Sequence, residues 1–383
     1  MLHIPRTLKS HLINRLVNDR RIVLLFGPRQ AGKTTLAKGV LREAAPEGFL
    51  SLSGEDPRTS ELIGSCDLRR LRGLLAGYRY VLLDEAQYIP DVATSLKILY
   101  DDPDEDTDPR ILVTGSSSLT LAAGTREAST GRTWSFILYP IAFQELRGLE
   151  NPFELEGRLA EALVLGMYPA LFSLANRDDR VEHLRELATA YLFRDVLELG
   201  GIRNSRKLRD LVRLLAYQVG SEVSYQEISR QLGISADTVI SYVDLLEQAY
   251  VVFRLGAFSR NLRKEISKKD KVYFYDNGVR NVLIEDTKEW HLRGDQGALW
   301  ENFLVAERMK ANAYARRHAN SFFWRVYSGA EIDYVEEREG TLYAYEFKLR
   351  KKRSAPPPSF RQAYPSAEFV TIDMTNWLQF VTE

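Results

Sequence analysis

The 383-residue sequence has few of the residues that mark several common classes of protein. Cys66 is the single cysteine, which excludes an intramolecular disulfide and a cysteine-rich metal cluster. The five histidines are scattered, so their spacing indicates no zinc site. No apolar run approaches the roughly 18–20 residues of a membrane span, and the first residues form no apolar signal segment. We therefore expect a cytoplasmic protein without a membrane partner.

An excess of charge of either sign is also missing. The sequence has 52 basic and 52 acidic side chains, which give a formal net charge of zero. A surface that binds nucleic acid must therefore be local. The 45% hydrophobic and 27% charged composition is typical of soluble globular proteins. The length of the chain indicates two or three domains.

The most informative motif follows a short apolar run, Arg21 to Phe26. It fits the phosphate-binding pattern G-x-x-x-x-G-K-[ST] and comprises Gly27, Pro28, Arg29, Gln30, Ala31, Gly32, Lys33, Thr34 and Thr35. The glycines let successive backbone N–H groups face the α- and β-phosphates, and the start of a helix adds partial positive charge. Lys33 is expected to reach the β- and γ-phosphates, and Thr34 to bind Mg²⁺. The pattern predicts ATP and Mg²⁺ as cofactors.

Two further apolar runs end in polar side chains that suit the same site. The first ends in Asp84, which we expect to hold Mg²⁺, and Glu85, which we expect to polarise the attacking water as a general base. The second ends in hydroxyl side chains that would lie beside the γ-phosphate as a sensor. Ser116 is the first candidate for that role and Thr114 the second.

Two arginines are candidates for completing the nucleotide site. Arg132 precedes an apolar strand and could reach the site of a neighbouring subunit as an arginine finger, which requires a homo-oligomer. It could equally be a surface arginine. Arg194 lies in a helix that follows the sheet and could supply a second arginine to the γ-phosphate. Its alternative role is that of a surface partner for an acid on the same helix.

A second group of charged residues occurs near the C-terminal end. Asp333, followed one hairpin later by Glu346-x-Lys348, matches the PD-(D/E)xK nuclease pattern, and Glu301 on the preceding helix is an additional acid. Asp333 and Glu346 would bind one Mg²⁺ through oxygen ligands. Lys348 lies on the same strand face as Glu346 and would orient a water. The site would either cut DNA or only hold it.

The region between these motifs reads as a winged helix. A helix, a turn at Gly233–Ser235, a further helix and two strands follow one another. Basic residues between the strands and after the last motif are expected to contact DNA phosphates: Arg260, Arg263, Lys264, Lys268, Lys269, Arg350, Lys351, Lys352 and Arg353. Asp237 and Asp244 on the helix after the turn would repel phosphate. A winged helix that binds a protein partner therefore stays open.

Together these motifs resemble the prokaryotic AAA family ATPases that carry a C-terminal domain of formerly unassigned function. The resemblance spans nearly the whole chain, and it rests on these phrases: Gly27–Thr35, Leu83–Gln87, Thr114–Ser118, Gly131–Arg132, Leu138–Pro140, Phe143–Leu146, Phe193–Val196, Tyr273–Gly278, Trp300–Phe303, Glu331–Tyr334 and Tyr345–Lys348. It implies an ATPase with an AAA+-type sheet. It says little about the biological role.

The sequence thus predicts an α/β protein with four parts. A P-loop AAA+-type parallel sheet domain covers residues 1–150, a helical lid 151–204, a winged helix 205–285 and a restriction-endonuclease-like α/β domain 286–383. The favoured function is that of a DNA-dependent ATPase that remodels or processes DNA. The alternatives are an ATP-gated, metal-dependent nuclease, and a signalling or toxin–antitoxin-like switch whose winged helix binds protein.

Overall fold

The computed structural model describes residues 4–102, 108–116, 131–191, 196, 205–259, 270–326, 329–350 and 354–383. The chain divides into two compact units. The first unit combines His3–Pro140 with Gln248–Tyr250, and the second combines Ile141–Glu247 with Val251–Glu383.

The first unit is built around a parallel sheet. Its strands are β1 (Ile22–Phe26), β2 (Leu50–Ser53), β3 (Tyr80–Asp84), β4 (Arg110–Gly115) and β5 (Thr133–Ile137). They lie in the order β2-β3-β4-β1-β5, and each neighbouring pair is parallel. Because β4 lies between β1 and β3, the segments that follow these three strands meet at the same edge of the sheet.

Five helices of the first unit fall within the described residues: α1 (Leu8–Asn18), α2 (Lys33–Ala44), α3 (Pro57–Gly64), α4 (Leu68–Leu75) and α5 (Val92–Asp101). All five residues of β1 are buried and apolar, as a parallel strand covered on both faces requires. Helix α2 buries an apolar face that packs against β3 and β4. The predicted α/β class is confirmed.

The second unit contains most of the helices that the structure describes. They are α6 (Phe143–Leu146), α7 (Pro152–Leu165), α8 (Arg177–Glu186), α9 (Ser205–Tyr217), α10 (Tyr225–Leu232), α11 (Ala236–Gln248), α12 (Asn277–Leu283), α13 (Gln296–Tyr314), α14 (Pro358–Ala363) and α15 (Trp377–Thr382). Over the described ranges, the search for a helix long and apolar enough to cross a membrane finds none.

A mixed sheet forms the other part of the second unit. Its strands are β6 (Val252–Ala257), β7 (Lys271–Phe274), β8 (Asn320–Arg325), β9 (Glu331–Arg338), β10 (Thr341–Phe347) and β11 (Glu368–Ile372). They lie in the order β11-β10-β9-β8-β6-β7. The pairs β10–β11 and β6–β8 are parallel, and the other neighbours are antiparallel.

Helices α10 and α11 follow one another across a short turn, in the order that the sequence predicts for a helix-turn-helix. The Ser224 hydroxyl accepts a hydrogen bond from the Glu227 N–H and caps the start of α10. Gly233, with a φ of 63°, ends α10 in the left-handed conformation that favours glycine. Strands β6 and β7 follow as an antiparallel pair. Through the parallel pairing of β6 with β8, this pair belongs to the same sheet as the C-terminal strands.

The regions predicted as lid, winged helix and C-terminal domain lie in the second unit, apart from Gln248–Tyr250 of the predicted winged helix. The first unit ends at Pro140, ten residues before the predicted boundary at residue 150. The boundaries at residues 204 and 285 stay sequence predictions inside one compact unit.

Candidate functional site

The phosphate-binding loop lies between β1 and α2 in a backbone shape that needs its two glycines. Gly27 has a φ of 143°, and a Cβ atom there would lie 2.1 Å from the Leu138 carbonyl oxygen. Gly32 has a φ of 94° at the start of α2. Arg6 fixes the outer side of the loop: its guanidinium donates to the carbonyl oxygens of Ala31, at 2.7 Å, and Tyr139, at 2.6 Å. No motif in the sequence indicated this role for Arg6.

Lys33 is turned back over the loop. Its side chain is buried, and Nζ donates to the carbonyl oxygens of Gly27, at 3.0 Å, and Pro28, at 2.9 Å. A buried ammonium group needs such acceptors to offset its desolvation. The phosphate oxygens of a nucleotide would offer stronger, charged acceptors in their place.

Thr34 and Asp84 join the two nucleotide motifs. The Thr34 hydroxyl in the first turn of α2 lies 3.0 Å from each carboxylate oxygen of Asp84 at the end of β3. A hydroxyl and a carboxylate are hard oxygen donors, and Mg²⁺ at NTPase sites takes one or two protein oxygens together with substrate phosphates and waters. The pair therefore suits the predicted Mg²⁺ site.

Three residues hold Glu85 beside this pair. The Glu85 N–H donates to the Thr114 hydroxyl at 3.0 Å, and the same hydroxyl donates to Asp84. The Gln87 amide donates to the Glu85 carboxylate at 2.5 Å and accepts from the Ser116 N–H at 3.3 Å. Glu85 itself has a left-handed φ of 50°. Thr114 thus bonds to Asp84 and to the Glu85 backbone through its side chain, whereas Ser116 is linked to the Glu85 carboxylate only through Gln87.

Sequence reasoning missed the position of Gln87. Its signal was its spacing of two residues from Glu85, which places it in the short turn Ala86–Tyr88 after β3. An amide can donate to a carboxylate and accept an N–H at the same time, which neither an ionised carboxylate nor an ammonium group can do. Gln87 therefore orients the predicted general base.

Arg132 pairs with an acid of the same chain. Its guanidinium donates to both oxygens of Asp101, at 2.6 and 3.0 Å, and this hydrogen bonding lowers the pKa of Asp101. The role of Arg132 as an arginine finger stays a prediction. It requires that Arg132 separate from Asp101 to reach a neighbouring subunit. Arg29 of the phosphate-binding loop donates to the Tyr88 hydroxyl. Arg194 lies outside the described residues.

Most of the predicted DNA contacts also lie outside the described residues. These are Arg260, Arg263, Lys264, Lys268 and Lys269 of the predicted wing, and Lys351, Lys352 and Arg353 near the C-terminal end. Arg350 is described and exposed. On the helix after the turn, Asp244 accepts a hydrogen bond from Arg254 at 2.6 Å. The positive charge of Arg254 offsets the negative charge of Asp244, one of the two acids on this helix that would repel phosphate.

The second candidate site lies where β9 and β10 run side by side. Oδ2 of Asp333 on β9 accepts the Phe347 N–H at 2.7 Å. Burial, followed by the negative charges of Glu301 and Glu346, raises the pKa of Asp333 to about 7. The structure therefore brings together the three acids that the sequence placed in this site. Lys348 pairs with Glu346 at 2.5 Å.

A lysine from the predicted wing also belongs to this cluster. Lys271 on β7 is buried, and its Nζ lies 3.1 Å from Glu301 and 2.5 Å from Glu331. Burial alone would lower the pKa of Lys271, but the two carboxylates raise it. The Tyr273 hydroxyl donates to Glu301 at 2.7 Å. Glu301 is thus held by a cation and a hydroxyl, whereas Glu346 is paired with Lys348. Asp333 and Glu346 stay the predicted metal ligands.

Among the described residues, no group of three acidic, histidine or cysteine side chains is arranged to hold a metal ion. Two carboxylates are enough for Mg²⁺ when substrate phosphates and waters complete its octahedron. The donor set of Asp333 and Glu346 therefore fits a metal that binds together with a phosphate-containing substrate.

Three known families match successive parts of the chain. Residues 19–147 match the family described as AAA domain. Residues 156–289 match a Domain of unknown function (DUF8612), and residues 296–375 match another (DUF4143).

A relative that matches most of the chain shows the family. Over 339 residues the sequence is 30% identical to Uncharacterized protein Rv2008c of Mycobacterium tuberculosis, a match that covers 88% of this chain and 72% of the relative. The chain belongs to the same family of prokaryotic AAA proteins. Uncharacterized protein MJ1544 of Methanocaldococcus jannaschii is 23% identical over 369 residues, which cover 90% of this chain and 80% of that protein. The resemblance inferred from the motifs is confirmed.

Solved structures give weaker similarities. The RuvB Holliday junction branch migration motor of Thermotoga maritima aligns with a TM-score of 0.33 and 18% identity, over 66% of this chain and 90% of that one. AMPPCP-bound DnaA from Aquifex aeolicus aligns with a TM-score of 0.28 and 16% identity, over 63% and 86%. TM-scores this low support no conclusion about the fold or the function of this chain.

Proposed function

We propose that the protein is a Mg²⁺-dependent ATPase whose turnover is controlled by DNA. One observation carries the ATPase assignment: at one edge of the parallel sheet, the Thr34 hydroxyl lies 3.0 Å from both oxygens of Asp84, next to Glu85 and the phosphate-binding loop. These are the groups that a phosphoryl-transfer site needs for the metal, for the phosphates and for the attacking water.

Each residue has a separate task in hydrolysis. Lys33 exchanges its hydrogen bonds to the loop carbonyls for bonds to phosphate oxygens. Thr34 and Asp84 hold Mg²⁺, which supplies positive charge to the phosphates. Glu85 accepts a proton from the water whose oxygen bonds to the γ-phosphorus, while the bond from that phosphorus to the ADP oxygen breaks. Gln87 keeps the Glu85 carboxylate in place.

The DNA part of the proposal rests on the second unit. The α10–turn–α11 arrangement and the β6–β7 pair have the order of a winged helix. At the start of α11, Ser235 and Asp237 are exposed, whereas Val239 and Val243 on the other face are buried. In DNA-binding helix-turn-helix modules the start of the second helix contacts base edges. The ion pair between Asp244 and Arg254 favours this function over the protein-binding alternative, because it reduces the repulsion of phosphate.

The test is ATP turnover over a range of protein concentrations, without DNA and with single-stranded, duplex or forked DNA. We expect a severalfold rise with one form of DNA. Lys33→Ala should abolish turnover, whereas Lys97→Ala, an exposed lysine on α5, should not. Undiminished turnover of Lys33→Ala would refute the nucleotide assignment. If no DNA changes the turnover, the signalling switch with a protein partner becomes the better explanation.

The acidic cluster favours a second candidate function, a metal-dependent nuclease. Asp333 and Glu346 would hold the metal, which polarises a phosphodiester, and Lys348 would orient the attacking water. Cleavage of labelled DNA with Mg²⁺ or Mn²⁺ tests it. Glu346→Gln should abolish cutting with ATPase activity retained, while Glu368→Gln, an exposed acid on β11, should cut normally. A wild-type protein that cuts no DNA, with or without ATP, removes this candidate.

A further inference from the structure

An arginine-lined cavity in the second unit belongs to neither candidate site. It has a volume of about 500 Å³ and lies among α8, α9 and α12. Val282 and Leu283 of α12 contribute apolar side chains to its lining. Its basic side chains are four exposed arginines, one from α8 and three from α9: Arg185, Arg206, Arg209 and Arg213.

Helix α9 is built to present the three arginines together. Its apolar residues Leu208, Leu211 and Leu215 are buried, so the arginine face is the exposed one. Residues three and four positions apart are neighbours on a helix surface, which places Arg206, Arg209 and Arg213 in one row. At 1.5 Å per residue, this row covers about 10 Å of helix axis. Phosphates of one DNA strand advance about 3.4 Å each along the duplex axis, so four consecutive phosphates, separated by three such steps, span a similar length.

Like charges in such a row repel one another, which weakens a helix unless an anion or an acid compensates. Among the described residues that line the cavity, four arginines stand against two acids, Asp210 and Glu285, which is an excess of positive charge. The Glu285 carboxylate lies 3.3 Å from Arg213, but the side chains are 74% and 47% exposed. An exposed ion pair of this kind is weak and exchanges readily for a better anion.

Arginine suits phosphate better than lysine does. The guanidinium is planar and donates two parallel hydrogen bonds to two oxygens of one phosphate group. All four cations of the cavity are arginines, although the chain also uses lysine on its surface. The chemistry of the cavity is therefore that of a phosphate-binding surface.

We propose that the arginine row of α9, together with Arg185, binds the phosphate backbone of DNA. The inference rests on the proposed DNA-controlled ATPase and adds to it a surface on the first helix of the helix-turn-helix region, separate from the predicted wing. Its contacts are to the backbone, so the surface contributes affinity without reading sequence.

The experiment measures binding of a fluorescent duplex to the full-length protein by anisotropy, between 50 and 300 mM salt. The variant carries Arg206→Gln, Arg209→Gln and Arg213→Gln, because glutamine keeps the helix and removes the charge. The control carries Arg58→Gln, Arg69→Gln and Arg70→Gln, three exposed arginines on α3 and α4. Thermal unfolding checks that both variants fold.

The salt dependence gives the decisive number. Each lost phosphate contact removes about 0.9 from the slope of log affinity against log salt, so three lost contacts make the slope shallower by about 2.7. The control should keep the wild-type slope. A folded α9 variant with wild-type affinity and slope would overturn the inference, and so would a wild-type protein that binds no DNA. A protein that binds DNA through α9 but hydrolyses ATP at a DNA-independent rate would refute the proposed function alone.

The arginines could instead bind a free phosphorylated compound. Inorganic pyrophosphate tested on the Lys33→Ala protein separates the two sources, because this variant lacks the main phosphate ligand of the nucleotide site. Saturable pyrophosphate binding that the α9 variant loses, with DNA binding unchanged, would assign the cavity to a free phosphate and overturn the DNA inference.

Discussion

The side chain of Thr114 offers the sharpest test of how the proposed ATPase site is held together. Thr114 is fully buried near the end of β4. Its hydroxyl donates to the Asp84 carboxylate and accepts the Glu85 N–H at 3.0 Å. A single oxygen atom thus connects the metal-binding acid to the backbone of the predicted general base. Thr114→Val keeps the shape of the side chain and removes only this connection.

The expected loss of stability in Thr114→Val follows from the two hydrogen bonds that the hydroxyl makes. A hydrogen bond to a charged group contributes about 1.5–3 kcal/mol, and an N–H left without an acceptor costs about 1–3 kcal/mol when buried. Because Asp84 and Glu85 keep some access to water, we expect Thr114→Val to lower the free energy of unfolding by about 2–4 kcal/mol. Misplacement of Glu85 should lower kcat by about 10–100-fold, since general-base catalysis contributes about 10²–10⁴-fold.

Steady-state ATP turnover, binding of a fluorescent nucleotide and chemical denaturation measure the three consequences. Nucleotide affinity should change little, because Lys33 and the loop are untouched. Thr114→Ser is the matched control: it restores the hydroxyl, so it should recover most of the turnover. If Thr114→Val turned over ATP at the wild-type rate, or if Thr114→Ser were as impaired, the hydroxyl would not have the role assigned to it.

Three further predictions concern charged groups. If Arg132 acts across subunits, Arg132→Ala and Lys33→Ala proteins should each be inactive, and mixing them should restore turnover; a mixture without activity would contradict action in trans. Burial and neighbouring carboxylates raise the pKa of Asp333 to about 7, above the unfolded value of about 3.9. In EDTA the free energy of unfolding should therefore fall by about 1–3 kcal/mol as pH rises from 4 through 7. Asp333→Asn should remove that fall, and a variant with the same pH profile as the wild type would contradict the prediction. Glu336 is fully buried and accepts hydrogen bonds from Arg308 at 2.9 and 3.1 Å. In urea denaturation, Glu336→Gln should therefore lower the free energy of unfolding by about 3–5 kcal/mol, whereas Glu337→Gln, at a more exposed position, should lower it by under about 1 kcal/mol. Equal effects of the two substitutions would refute the role of burial.

The nucleotide motifs could be predicted from the sequence because their chemistry is local. The residues from Gly27 to Thr35 form a contiguous segment, and both the Asp84–Glu85 pair and Ser116 directly follow apolar strands. Parallel strands bring such segments to one edge of a sheet whatever the details of the loops. Gln87 was harder to assign, because its two hydrogen bonds depend on the turn that follows β3 and on the end of β4.

The order of α10, turn and α11 was predictable for a similar reason, since Gly233 and the apolar pattern of the two helices act over short distances. That these helices form a helix-turn-helix module stays a prediction. The neighbours of β6 and β7 were not predictable. Strand pairing between segments far apart in the chain depends on burial of both faces and on the register of the whole sheet. The parallel pairing of Gly256 with Phe322, which joins the predicted wing to the C-terminal sheet, has no local signal.

The pairing of β6 with β8 places the acidic cluster in the same sheet as two strands of the predicted winged helix. Removing everything before residue 286 would leave Glu301 and Glu331, whose side chains are partly exposed, without Lys271, the buried cation with which both pair. It would also remove the Tyr273 hydroxyl from Glu301 and raise the repulsion that Asp333 experiences. The charge balance of the candidate nuclease site therefore depends on a strand of the predicted winged helix. Any movement of β7 would change the electrostatics of Asp333 directly, so the two predicted modules form one electrostatic site within a continuous sheet.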